Sequence, residues 1–104
     1  IIFCTVKAGI QVLNASVLAD AKQLKVAGDV NAVPPLGIEG IKLMDAGAPL
    51  VHASNAQGAV GVGALAVGDV KYHLQHALLQ QTLEEGDPVY LDFRSAFEGA
   101  RKLA

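Results

Sequence analysis

The chain has 104 residues, enough for one domain at most; about half are apolar and 17% are charged, a balance that excludes a disordered chain. Net charge is −2, and the eight Lys and Arg are scattered with few aromatics among them, so nucleic-acid binding has nothing to rest on. No apolar run reaches the roughly 18 residues of a membrane span, and a lone cysteine, Cys4, cannot form an internal disulfide, so a cytoplasmic protein is expected.

Ile1–Val6 reads as a continuous buried strand. It has no turn, cap or initiator Met before it, so a segment is expected upstream. Lys7-Ala8-Gly9 is a short loop. Asn14 then offers an N-cap to a helix that places Val17, Leu18, Ala21 and Leu24 on one face and stops near Lys25. Val26–Val30 is a second short buried strand. Asn31–Gly37 contains Pro34 and Pro35, which remove two backbone donors, and it is expected to be irregular. Ile38, Ile41 and Leu43 predict a short helix ending by Gly47, and Ala48–Gly58 reads as loop.

Ala59–Val67 is apolar and glycine-rich, either a strand or a tight strand-to-helix turn. A helix is predicted from about Asp69 to Glu85, with Val70, Leu74, Ala77 and Leu78 as its buried stripe, broken by Gly86-Asp87-Pro88. Val89–Leu91 is a brief extended piece. Asp92 caps a last helix expected to turn Phe93, Ala96, Phe97, Ala100 and Leu103 inward, with Arg101 and Lys102 suiting its carboxyl end. Strands alternating with helices predict an α/β fold, a mainly parallel sheet with flanking helices.

Five blocks carry a family likeness: Val26–Gly37 (VAGDVNAVPPLG), Lys7–Leu13 (KAGIQVL), Leu36–Ile41 (LGIEGI), Gly63–Tyr72 (GALAVGDVKY) and Tyr90–Arg101 (YLDFRSAFEGAR). In these the chain resembles bacterial NAD(P)-dependent methylene-tetrahydromethanopterin dehydrogenases, which pass hydride between a methylene-pterin and NAD or NADP. The likeness falls on the carboxyl-terminal part of their nucleotide-binding domain. It implies a partial Rossmann-like domain lacking the glycine-rich turn that holds the cofactor's pyrophosphate. The resemblance therefore implies a chain inactive alone that binds no cofactor by itself. It would act with a missing amino-terminal half or exist as a homo-oligomer, and the pterin would enter only an intact enzyme. The residues that separate NAD from NADP would lie in the missing part. The alternative is a self-associating structural or binding remnant, its bare sheet edge covered by a second copy.

By resemblance, Asp29, Asn31, Ala32 and Val33, at the carboxyl end of a strand, face the nicotinamide end of the cofactor; Asp and Asn also stabilise plain turns. Thr5, Val6, Lys7, Ala8 and Gly9 would border the ribose and adenosine side, with Gly9 allowing close backbone approach. Lys7 is more often a solvated loop residue than a ligand, and Pro34 and Pro35 are scaffold. Gly61–Ala66 matches G-x-G-x-x-A, but Glu84 ends a helix instead of a second strand, so close packing accounts better for these glycines. Gly63 is retained as a contact to the nicotinamide half. His73 and His76 lack a third metal ligand, His52 has no partner, and Cys4 reads as an inert thiol, so no metal site is expected. No residue is nominated as acid, base or nucleophile, because the cofactor carries the chemistry and the protein positions the rings.

Overall fold

The computed structural model describes residues 1–103. They form four strands and three helices in the order β1 (Ile2–Cys4), α1 (Ala15–Asp20), β2 (Val26–Asp29), β3 (Ala46–Pro49), β4 (Val60–Val62), α2 (Ala64–Glu84) and α3 (Phe93–Leu103). The chain divides into one unit over Ile1–Val67, which holds the sheet, and a second from Gly68 onward, which holds most of α2 and all of α3.

In the first unit the strands lie in the order β1-β2-β4-β3. β1, β2 and β4 run parallel, with Phe3 opposite Gly28 and Ala27 opposite Gly61. The result is an α/β fold whose mainly parallel sheet is flanked by helices, as alternating apolar segments require. β3 pairs antiparallel with β4 at the far edge, which corrects the reading of Ala48 and Pro49 as loop. Its sequence, Ala-Gly-Ala-Pro, has turn composition, and only pairing to β4 makes it a strand. Its edge position suits Pro49, whose missing N–H is not needed there. Gly47, at φ +91°, absorbs the register shift between Ala46 and Ala48.

Nine apolar residues form the core of this unit: Cys4, Leu18, Leu24, Ala27, Ile38, Ile41, Leu50, Ala53 and Ala59. β1 is shorter than Ile1–Val6, and as an edge strand it leaves Ile1 and Phe3 largely exposed. The Phe3 ring covers the Cα face of Gly28 across the strand pair. α1 is also shorter than predicted. Asn14 caps it, its side chain accepting from the Val17 N–H at 3.0 Å, but the helix ends at Asp20. Leu18 and Leu24 are buried as expected, Ala21 is half-buried, and Val17 faces solvent because one short turn cannot bury a whole stripe.

The predicted helix over Ile38–Gly47 is absent. Ile38 pairs with Leu13, Gly40 turns the chain at φ +90°, and the Asp45 carboxylate accepts from the Lys42 N–H at 2.8 Å. Ile38 and Ile41 still reach the core, so their burial was legible although their backbone was not.

The helix α2, most of which lies in the second unit, starts at Ala64, earlier than predicted, and none of its residues is fully buried. Val70, Leu74 and Leu78 are half-buried, whereas Ala77 is exposed, against expectation. A cavity between α2 and α3 is lined by Leu74, Leu78, Leu91, Gly99 and Leu103. A Cβ at Gly99 would come within 2.7 Å of Leu74 Cδ1, the free end of a side chain that can shift aside. Of the apolar residues expected to point inward from α3, only Ala96 and Ala100 are half-buried; Phe93, Phe97 and Leu103 are exposed. Arg94 and Arg101 lie over the rings of Phe93 and Phe97. Asp92 caps α3 as predicted, and the Arg94 guanidinium 2.8 Å away, with the Ser95 N–H, holds its carboxyl below the usual value. Val89–Leu91 forms no strand. No helix among the described residues is long and apolar enough to cross a membrane.

Candidate functional site: the carboxyl edge of the parallel strands

Because β1, β2 and β4 run parallel, their carboxyl ends, Cys4, Asp29 and Val62, lie along one edge of the sheet. Every residue expected at the cofactor follows one of these ends. Thr5–Gly9 leaves β1, Val30–Val33 leaves β2, and Gly63 leaves β4. Asp29 itself is the last residue of β2. This is the edge where open α/β sheets place ligands.

Asp29 is 1% exposed, and both of its carboxylate oxygens are engaged. Oδ1 accepts from the Asn31 N–H at 2.9 Å and Oδ2 from the Ile38 N–H at 2.8 Å. Asn31, 4% exposed, continues the network. Its Oδ1 accepts from the Val33 N–H at 2.9 Å, and its Nδ2 donates to the Pro35 carbonyl at 3.2 Å. Two successive Asx turns thus fold the 29–35 segment onto itself. Both polar side chains are spent on holding the loop, and the parts left facing outward are the exposed residues Ala32 and Val33.

The loop is tied down from behind. The Gly37 carbonyl accepts from the N–H groups of Val12 and Leu13, and the Glu39 N–H donates to the Leu13 carbonyl. The Glu39 carboxylate accepts from the Ala15 N–H at 2.7 Å, at the start of α1. Gly37 has no room for a side chain, since a Cβ would run into Cys4 Sγ. The buried thiol of Cys4 is therefore packing under this loop.

The β1 loop meets the β2 loop at Gly9. Its φ of +78° requires glycine, and a Cβ there would sit 3.8 Å from the Pro34 carbonyl oxygen and 3.9 Å from Val33 Cγ1. Thr5, Lys7 and Ala8 are exposed and Val6 is half-buried. The structure thus brings Gly9, Val33 and Pro34 together and leaves Lys7 on the surface.

Gly63 occupies a different setting. It is buried, its N–H donates to the Asp45 carbonyl at 2.8 Å, and a Cβ would strike the carbonyl oxygens of Lys42 and Leu43. The Leu65 N–H donates to the Leu43 carbonyl at 2.9 Å. The amides of the G-x-G-x-x-A stretch that would face a phosphate are thus taken up by the chain's own 43–45 segment. No pattern in the sequence announced this contact; it depends on where the turn at Lys42–Asp45 lands.

The histidines gather no metal set. His73 and His76 are exposed on α2, His73 Nδ1 lies 2.9 Å from the Asp69 carbonyl, and His52 packs against Gly40. Among the described residues no group of three or more potential ligands is found.

A mainly parallel sheet with flanking helices, its site-bearing loops on the carboxyl edge, is compatible with part of a Rossmann-like nucleotide-binding domain. Comparison with known proteins bears out the likeness over nearly the whole chain. The NAD(P)-dependent methylenetetrahydromethanopterin dehydrogenase of Methylorubrum extorquens is 45% identical over 93% of this chain. The bifunctional protein MdtA of the same organism is 28% identical over 92% of it. The chain spans 31% of the length of each. No family model matches.

Proposed function

We propose that this chain forms the nicotinamide-side wall of a dinucleotide site in an oxidoreductase of the methylene-tetrahydromethanopterin dehydrogenase type, and that it is inactive alone. The observation that carries the reading is the 45% identity to that dehydrogenase across 93% of the chain. The carboxyl-edge position of both loops agrees with it. The exposed residues Ala32 and Val33, on a turn held by Asp29 and Asn31, suit a flat carboxamide-bearing ring. NAD or NADP would supply the hydride acceptor; this chain's part is to orient the ring and keep one wall rigid.

The diphosphate half of such a cofactor fits poorly. A pyrophosphate is best held at an open helix N-terminus. α1 is closed by the side chain of Asn14 and the carboxylate of Glu39, α2 by the carbonyls of Leu43 and Asp45, and α3 by the carboxylate of Asp92. Two of the three are stopped by a negative charge. Isothermal titration of the 104-residue chain with NADP and with NAD should give dissociation constants of about a millimolar or weaker. Micromolar binding would overturn this reading of the phosphate side.

A second reading, a self-associating piece that no longer binds cofactor, draws on β1. This strand is paired on one side only and leaves Ile1 and Phe3 exposed.

A further inference from the structure

We draw no further inference here: the strongest candidate, the outward face of α3 on which Phe93 and Phe97 lie exposed with Arg94 and Arg101 over their rings, is an unpartnered apolar face, and nothing in the structure shows what covers it.

Discussion

At the scale of single residues, the site depends on a buried carboxylate. Asp29 satisfies two backbone N–H groups at the two ends of the loop, those of Asn31 and Ile38. Removing it leaves both donors without acceptors in a place water does not reach. Asp29→Ala should therefore cost about 3 kcal/mol of stability, and Asp29→Asn, which keeps one acceptor oxygen, roughly half as much. Urea unfolding midpoints of the two variants check this, and a loss below about 1 kcal/mol for the alanine variant would show that the loop is held some other way. The sequence marked Asp29 and Asn31 as candidate site residues but did not separate ligand from scaffold. Both types bond to a cofactor or to a neighbouring amide with equal ease, and only the position of the N–H groups decides.

At the scale of elements, the junction of β4 and α2 shows how a motif loses its usual meaning. Gly61, Gly63 and Ala66 have the spacing of a phosphate loop. Gly63 is closely packed, though against the 42–45 segment and not strand against helix, and that segment takes the amides of Gly63, Leu65 and Ala66. Gly63→Ala would drive a methyl group against backbone carbonyls that cannot rotate away, the Leu43 oxygen standing 2.5 Å from the Cβ position. We expect destabilisation of about 2–4 kcal/mol, measured by thermal or chemical unfolding. A neutral substitution would mean that the turn is looser than this packing. The same reasoning explains why α1 and the Ile38–Gly47 segment departed from their predicted forms. Apolar spacing reports which residues go inside, and here turns anchored by Asn14, Glu39 and Asp45 satisfied that demand with less helix.

At the scale of the whole molecule, the chain matches relatives of which it spans 31%. If only the nicotinamide half of the cofactor finds a surface here, the rest of the dinucleotide adds little. Nicotinamide mononucleotide and NADP should then bind within about tenfold of each other, both weakly, as read from shifts of the Ala32 and Val33 amide resonances. A preference for NADP above about a hundredfold would require a phosphate or adenosine site that the capped helices do not offer. Shifts confined to residues away from the carboxyl edge would move the ligand surface elsewhere.

The amino-acid sequence alone determined the α/β class, the strands β1 and β2, and the cap residues Asn14 and Asp92, while the segment that becomes β4 stood open between strand and strand-to-helix turn. The features it determined follow from local spacing and from side chains that act on their own neighbourhood. Tertiary structure decided that Ala46–Pro49 would be a strand, that Asp29 and Asn31 would turn their polar atoms inward, and that the glycine-rich turn would be closed by Leu43 and Asp45. The strand pairing, the closure by Leu43 and Asp45 and the Asp29–Ile38 bond join segments that do not adjoin in the chain, whereas the Asn31 and Val33 amides are taken by local Asx turns. Where two separate backbones meet is encoded in no local pattern of residues.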